Sequence, residues 1–143
     1  MQTPLSMLLK EKSNKIQTLA PEDTCFFCSE ILSKFGIGAL LVMEGEKLLG
    51  IVSERDLINK LVSKKLAPET VKVSEIMTRN VLTVTPETTV QEAIEIMTER
   101  RFRHLPVLEK DKLVGIISIG DITRWIMLQQ QQEISALTGY IHG

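Results

Sequence analysis

Two short segments contain side chains whose types and spacing are suited to chemistry. Residues 50–56 read GIVSERD and residues 115–121 read GIISIGD, so in both a serine follows β-forming residues and an aspartate follows three positions later. A serine hydroxyl and the free N–H groups at the start of a helix are suited to a phosphate. A carboxylate at a strand-to-helix turn can accept both hydroxyls of a ribose, as the acidic residue of dinucleotide-binding folds does.

The same spacing also fits a purely structural role. In a capping box, the serine and the aspartate would each satisfy a backbone N–H of the other at the start of a helix. Capping boxes favour Glu or Gln at the fourth position, whereas this chain has Asp in both copies. The intervening residues differ, Glu54-Arg55 against Ile119-Gly120, so only the serine and the aspartate are shared. Spacing alone leaves capping and ligand binding as open alternatives.

The recurrence extends well beyond these motifs. Laying residues 16–61 over residues 81–126, at a constant offset of 65, gives 15 identical positions in 46 without a gap. Many of the other pairs exchange one apolar residue for another. We conclude that the chain contains two copies of one unit of about 60 residues.

Each copy has the pattern of a β-α-β-β-α unit. Short strands end at Pro21 and Pro86, and Thr24 and Thr89 then begin helices with apolar residues at helical spacing. The predicted strands are 16–19, 39–43 and 48–52, then 81–84, 105–108 and 113–117, with second helices over 56–62 and from 121 to about 132. The predicted fold is therefore α+β, with tandem pseudo-symmetric repeats and two small sheets flanked by helices.

The repeats divide the chain into four parts. Residues 5–66 form the first repeat with an N-terminal helix, 67–72 a linker, 73–128 the second repeat, and 129–143 a C-terminal helical tail. Each repeat is small for an independent hydrophobic core, so we expect stability to require that the two pack together.

The composition argues against several classes of partner. The net charge is −1 and aromatic residues make up 4% of the chain, which argues against nucleic-acid binding. No window approaches the run of about 18 apolar residues needed to cross a bilayer, so no membrane partner is expected. The first lysines follow the N-terminal apolar residues rather than precede them, so we predict no secretory signal and residence in the cytoplasm.

The two cysteines, Cys25 and Cys28, form a C-x-x-C pair, which in other settings binds zinc or catalyses thiol exchange. Zinc would need further ligands, and the chain has no other cysteine and only two histidines. The repeat alignment places the two cysteines on Val90 and Ala93, so we predict buried thiols on a core-facing helix. The sequence has no Walker loop, nucleophile elbow or metal-ligand cluster, and we predict neither a metal site nor enzyme activity.

Together, the repeats resemble paired CBS domains, the regulatory modules named after cystathionine β-synthase. The resemblance covers residues 5 to 128. It depends on the motifs at 50–56 and 115–121, on Arg103-His104-Leu105-Pro106-Val107, and on Val73-Ser74-Glu75-Ile76-Met77-Thr78, which is similar to the V-x-D-I-M-T start of a second repeat. The chain looks like the small stand-alone two-repeat proteins in which the motifs read SERD and SIGD.

This resemblance implies that adenine nucleotides bind in two clefts between the repeats, with AMP expected first, then NAD(H) and ATP. The aspartates would hold the ribose hydroxyls, the serines would lie near phosphate, and the opposite repeat would supply the adenine slot. By position, cleft A comprises Ser53, Arg55, Asp56, Val81, Leu82, Phe102, Arg103 and His104, and cleft B comprises Ile16, Gln17, Ile37, Gly38, Ala39, Ser118, Gly120 and Asp121.

The two clefts are expected to differ in charge. At the offset of 65, Arg103 and His104 correspond to Gly38 and Ala39. Cations able to bond phosphates in pairs are therefore expected on one side only, and a polyphosphate or dinucleotide should bind in cleft A beside Asp56. The alternative for His104 is a hydrogen-bonded structural histidine.

Two functions are consistent with these patterns. In the first, nucleotide binding changes the packing of the repeats and so regulates a partner protein. In the second, the clefts bind no ligand and the chain is a dimeric interaction scaffold. The resemblance implies a disc-like homodimer in either case, and the apolar residues 125–128 favour such association.

Overall fold

The computed structural model describes the backbone of residues 2–12 and 16–142, with the side chains of these residues up to 139. In chain order the elements are α1 (Leu5–Glu11), β1 (Thr18–Leu19), α2 (Cys25–Phe35), β2 (Ala39–Glu44), β3 (Lys47–Ser53), α3 (Glu54–Leu57), α4 (Val73–Ile76), α5 (Val90–Arg100), β4 (His104–Glu109), β5 (Lys112–Ser118) and α6 (Ile119–His142). A π-helical turn, Ile58–Val62, continues α3.

An antiparallel hairpin forms the centre of each half. β2 pairs with β3 and β4 pairs with β5, and both pairs have a register irregularity at the equivalent repeat position. β1 lies parallel to β2, which gives a sheet of three strands in the first half and of two in the second. The predicted strand at 81–84 contributes only one bridge, from Val84 to Val107. The predicted α+β fold with two small sheets flanked by helices is confirmed.

Threonine caps begin the first long helix of each half, as predicted. The hydroxyls of Thr24 and Thr89 each accept the N–H three residues later, at 3.1 Å. α2 ends at Gly36, whose φ of 61° is the left-handed conformation that glycine adopts readily. The equivalent residue after α5 is Arg101, with a φ of 58°, a conformation that costs about 1–2 kcal/mol when a Cβ is present.

The two hydrophobic cores exchange helices between the halves. The core of the first half includes Val73 and Ile76 of α4, which follow the predicted linker. The core of the second half includes Leu5 and Leu8 of α1. Each core is therefore completed by the helix that leads, along the chain, into the opposite repeat. The two hydrophobic cores therefore do not coincide with the two repeats as they are divided along the sequence.

A glycine in the second strand of each hairpin permits this helix packing. A Cβ on Gly50 would lie 2.7 Å from the carbonyl oxygen of Thr78 and 2.8 Å from Sδ of Met77. A Cβ on Gly115 would collide with Cδ2 of Leu9, in α1. These two residues open the GIVSERD and GIISIGD motifs, so the close approach of α1 and the α4 segment explains the glycine in each.

The two cysteines are core residues, as predicted. Both are fully buried and free of disulfide bonding. Burial, followed by the nearby thiolate and carboxylate charges, raises the pKa of Cys28 to about 12, and burial also raises the pKa of Cys25. A protonated and inaccessible thiol is a poor nucleophile and a poor metal ligand. Packing therefore accounts for this C-x-x-C pair.

The last helix includes the predicted C-terminal helical tail. α6 is continuous from Ile119 to His142, so the second helix of the repeat and the tail that begins at residue 129 form one helix. The Gln- and Glu-rich segment consists of good helix formers, which explains the continuation. Every residue from 129 to 139 is exposed. Residue 143, the end of the predicted tail, lies outside the described residues.

Candidate ligand-binding clefts

The serine–aspartate motifs form capping boxes in both halves. The hydroxyl of Ser53 accepts the N–H of Asp56 at 3.2 Å, and Oδ2 of Asp56 accepts the N–H of Ser53 at 2.9 Å. The corresponding distances for Ser118 and Asp121 are 3.0 and 2.8 Å. The structural alternative is thus observed, and it uses one oxygen of each carboxylate. A ligand must therefore bond to the carboxylate lone pairs that capping does not use.

Asp56 is almost buried and has further partners. The residue is 8% exposed, and its Oδ1 accepts the hydroxyl of Thr78 at 3.3 Å. The ammonium of Lys60 lies 3.0 Å from the same oxygen and also donates to the carbonyl of Ile76 at 3.0 Å. A buried carboxylate needs such partners because its desolvation is costly. Asp56 therefore has no oxygen that lacks a partner.

Asp121 receives its cation from a distant part of the chain. The ammonium of Lys12, just after α1, lies 2.9 Å from Oδ2 and donates to the carbonyl of Ile116 at 2.8 Å. Arg124 lies 3.6 Å from Oδ1. Burial opposes ionisation, but hydrogen bonds from Lys12 and Ser118 outweigh it and lower the pKa of Asp121 below its ordinary value. Asp121 is therefore an ionised carboxylate at neutral pH.

Cleft B has a volume of about 790 Å³ and combines residues of both halves. The residues predicted for it that do line it are Ile16, Gln17, Ile37, Gly38, Ala39, Ser118 and Asp121. Gly120 lines cleft A instead, because successive residues of a helix point about 100° apart and Gly120 precedes Asp121 on α6. Leu8, Leu9 and Trp125 add apolar surface to cleft B.

Cleft A has a similar volume, about 790 Å³. The residues predicted for it that do line it are Ser53, Arg55, Asp56, Phe102, Arg103 and His104. Val81 and Leu82 do not line it. The N–H of Val81 bonds back to the carbonyl of Arg79 at 2.9 Å, and only Val84 joins the sheet, so this stretch does not continue a strand along the cleft.

Both clefts contain cations, which corrects the expectation that only one would. The lining cations are Lys12 and Arg124 in cleft B, and Arg55, Lys60, Arg101 and Arg103 in cleft A. Both cations of cleft B lie next to Asp121. Within the described part of the chain, the three arginines of cleft A form no ion pair. Cleft A therefore has more guanidinium groups available for an anion.

Three residues line both clefts and connect them: Gly38, His104 and Ser118. A Cβ on Gly38 would lie 3.2 Å from Oε1 of Glu54 and 3.5 Å from Nε2 of His104, so little room remains between the clefts. Burial, followed by the positive charge of Lys12, lowers the pKa of His104 below its ordinary value. The imidazole is therefore neutral at neutral pH and can either donate or accept a hydrogen bond.

Sequence reasoning missed four residues that lie beside the aspartates. Lys60 lies four residues after Asp56 and Arg124 three residues after Asp121, helical spacings that could have identified them. Lys12 and Thr78 approach from α1 and from the segment after α4, and their positions depend on the exchange of helices between the halves. No local sequence pattern reports that exchange.

Two further findings concern the described residues alone. They contain no group of three or more His, Cys, Asp or Glu side chains arranged to hold a metal ion. Their helices include none with the length and low polarity needed to cross a lipid bilayer. The side chain of the second histidine, His142, lies outside this part of the chain.

The sequence matches a known domain family twice. The CBS domain family matches residues 11–63 and 73–128. The mitochondrial CBS domain-containing protein CBSX3 of Arabidopsis thaliana is 35% identical over 127 residues, which are 85% of this chain and 62% of that protein. The CBS domain-containing protein YhcV of Bacillus subtilis is 25% identical over 138 residues, 96% of this chain and 97% of that protein. The chain spans less than two thirds of CBSX3 and of several other relatives.

Solved structures share the architecture. A CBS-domain protein of Burkholderia ambifaria MC40-6, described as acting in signal transduction, has a TM-score of 0.86 at 38% identity and covers 90% of this chain and 96% of its own. The CBS-domain protein ATU1752 of Agrobacterium tumefaciens has a TM-score of 0.81 at 36% identity, covering 85% and 98%. With both repeats matched and the fold shared, this chain belongs to the CBS domain family.

Proposed function

We propose that the chain senses adenine nucleotides, AMP first and then NAD(H) or ATP, which bind in clefts A and B. The observation that carries the proposal is in cleft B. There the ionised Asp121, the Ser118 hydroxyl and the segment Ile37–Ala39 of the other half line one space of about 790 Å³. Small-molecule sites have volumes of about 300–1,000 Å³.

In cleft B, the ribose hydroxyls donate to Asp121. Its Oδ1 accepts no hydrogen bond from the described residues, since Arg124 lies 3.6 Å away. A phosphate lies near the Ser118 hydroxyl and the start of α6, where the helix dipole favours an anion. Adenine packs against the apolar side chains of Ile16 and Ile37.

In cleft A, the arginines favour a ligand with more phosphate groups. Arg55 and Arg103 line the same cleft as Asp56, and each guanidinium can bond phosphate oxygens in pairs. Both oxygens of Asp56 already have partners, so a ribose must share or displace Lys60 there. We therefore expect AMP to prefer cleft B and ATP or NAD(H) to prefer cleft A.

Regulation follows if the two halves pack differently with and without nucleotide. Both clefts lie between the halves, so a ligand with unequal affinity for two packings shifts their populations. The shift changes the surface presented to a regulated partner protein. Exposed apolar side chains on the helices suit a homodimer, namely Ile58, Val62, Met127, Leu128, Ile134 and Leu137. The free thiols are compatible with the reducing cytoplasm.

The same exposed side chains favour the second candidate function, a dimeric scaffold with clefts that bind no nucleotide. In that case, partner binding is independent of nucleotide and of both aspartates. The sensor and the scaffold therefore differ in a property that can be measured directly.

Replacing each aspartate with glutamate separates capping from ligand binding. Because glutamate is preferred in capping boxes, Asp121→Glu should change the free energy of unfolding by less than about 1 kcal/mol. Asp56→Glu should cost about 1–3 kcal/mol, because Asp56 is almost buried and both of its oxygens have partners. The added methylene moves the carboxylate away from the ribose, so nucleotide affinity should fall at least about tenfold in the altered cleft. Isothermal titration calorimetry with AMP, ATP and NAD measures this. Trp125, the only tryptophan, lines cleft B and reports that cleft separately by fluorescence.

Each variant is the control for the other, since Asp121→Glu should abolish the Trp125 response to AMP and Asp56→Glu should preserve it. Wild-type affinity in both variants would show that the aspartates are only caps. No heat from the wild-type protein with any adenine nucleotide would exclude the sensor and leave the scaffold. Mass spectrometry of the freshly purified protein would identify a nucleotide that accompanies it.

A further inference from the structure

Lys12 occupies the acceptor position that a ribose would need in cleft B. Its ammonium donates to Oδ2 of Asp121 and to the carbonyl of Ile116, and Oδ2 also accepts the N–H of Ser118. An ionised carboxylate oxygen has about two lone-pair positions. Both positions of this oxygen are therefore filled, and one hydroxyl of a ribose can reach only Oδ1.

In the first half, the carbonyl equivalent to that of Ile116 has a different hydrogen-bond donor. There the carbonyl of Ile51 accepts the backbone N–H of Thr78 at 2.9 Å, and the N–H of Ile51 donates to the carbonyl of Thr78 at 3.0 Å, so this is a two-bond main-chain pairing. The equivalent carbonyl in the second half, that of Ile116, is instead bonded by the side chain of Lys12. At the helix position equivalent to Lys60 the second half has Trp125, so the cation for Asp121 must come from outside its own helix.

A lysine side chain can leave such a position, whereas a main-chain pairing cannot. The Lys12 side chain is one-third exposed and reaches cleft B from its position just after α1. Separating it from Asp121 without a new partner would leave a largely buried carboxylate uncompensated, which is costly. A phosphate in the same cleft would offer the ammonium a replacement anion, and a neutral nucleoside would not.

We propose that Lys12 determines the specificity of cleft B for phosphorylated nucleosides, because its ammonium transfers from Asp121 to the phosphate of the ligand while the ribose hydroxyls take the vacated carboxylate oxygen. This inference rests on the proposed nucleotide binding. It gives the lysine that follows α1 a part in selecting the ligand, in a cleft that Leu8 and Leu9 of α1 also line.

Lys12→Met tests the proposal, with Lys10→Met as the matched control. Lys10 lies on α1, is exposed and does not line cleft B. The fluorescence of Trp125 follows the titration of wild type and both variants with 5′-AMP and with adenosine. We expect Lys12→Met to bind AMP at least tenfold more weakly and adenosine several-fold more tightly, so that the preference for AMP collapses. Lys10→Met should behave as wild type.

Opposite changes for the two ligands distinguish specificity from structural damage. If Lys12→Met lowered the affinities for AMP and adenosine by the same factor, or left both affinities unchanged, Lys12 would not determine specificity. An equal loss of AMP affinity in Lys10→Met would show only a long-range effect of charge, and would likewise overturn the proposal. Failure of the wild-type protein to bind any adenine nucleotide, by calorimetry, would instead overturn the proposed function on which the inference depends.

Discussion

The serine and the aspartate of each motif serve the fold and also line the proposed nucleotide clefts. Ser53 with Asp56 and Ser118 with Asp121 cap their helices, and loss of such a cap costs about 1 kcal/mol. Capping uses Oδ2 and leaves Oδ1 facing other groups. In the first half that oxygen is taken by Thr78 and Lys60, whereas in the second it accepts no hydrogen bond from the described residues and has only Arg124 near it, at 3.6 Å. The two motifs thus differ in their surroundings, although the serine and the aspartate are the same.

At the same scale, His104 should make stability depend on pH. Burial and Lys12 lower its pKa in the folded protein from the ordinary 6.5, with Asp121 and Glu54 opposing and Arg103 adding to the effect. Above pH 6.5 His104 is neutral in both the folded and the unfolded chain, and its contribution to stability is fully present. Below it the unfolded chain takes up the proton first, so the free energy of unfolding falls until the pH passes the folded pKa. Urea unfolding at pH 7.5 and pH 5.5 measures the fall.

His104→Asn supplies the reference for that experiment. The substitution removes the titrating group, so the loss of stability between the two pH values should be smaller than in wild type. His142 is present in both proteins, and its contribution cancels in the comparison. Equal losses would show that the imidazole has an ordinary pKa in the folded protein.

Among the elements, α1 is central to both the second core and cleft B. Leu5 and Leu8 complete the core, Leu9 packs against Gly115, and Lys12 pairs with Asp121. The helix is only two turns long and would not be stable alone, so tertiary packing must hold it. A displacement of this helix would therefore move residues that line the proposed nucleotide site.

Leu5→Ala should cost about 2–5 kcal/mol in the free energy of unfolding, although it lies near the start of the chain, because it leaves a cavity in the second core. Met7→Ala on the same helix is the control, since Met7 is 43% exposed and its loss should cost less than about 1 kcal/mol. Guanidinium chloride unfolding measures both. Equally small effects would mean that α1 does not complete this core in solution.

At the scale of the whole molecule, the exchange of α1 and α4 makes each half depend on the other. The first core contains residues that follow the linker, and the second contains residues that precede the first repeat. Neither repeat has a complete core of its own. Ligand binding between the halves can therefore affect both cores together.

We expect the full chain to unfold in one cooperative transition. Trp125 packs on the second core and Leu40 belongs to the first. Leu40→Ala should therefore lower the denaturation midpoint reported by Trp125 fluorescence as much as the midpoint reported by far-ultraviolet circular dichroism. A Trp125 transition that stayed at the wild-type midpoint would show that the halves unfold independently.

Short-range patterns and the comparison of the two repeats were sufficient to predict most of the fold. The threonine caps at Thr24 and Thr89 depend on hydrogen bonds that span a few residues, and the burial of the cysteines follows from the repeat alignment. The structure agrees with both. Most residues predicted to line the clefts do so. Nucleotide binding by these residues stays a prediction.

The sequence by itself determined the duplicated α+β unit, the two strand-to-helix turns and the pairing of each serine with its aspartate, because these depend on neighbours along the chain. Only the tertiary structure decided which helix completes which core, which cation pairs with Asp121 and which cleft Gly120 faces. The bonds of Lys12 join residues 104 and 109 positions apart. Such contacts follow from how the two halves pack, since no short-range pattern encodes the approach of segments so distant in the chain.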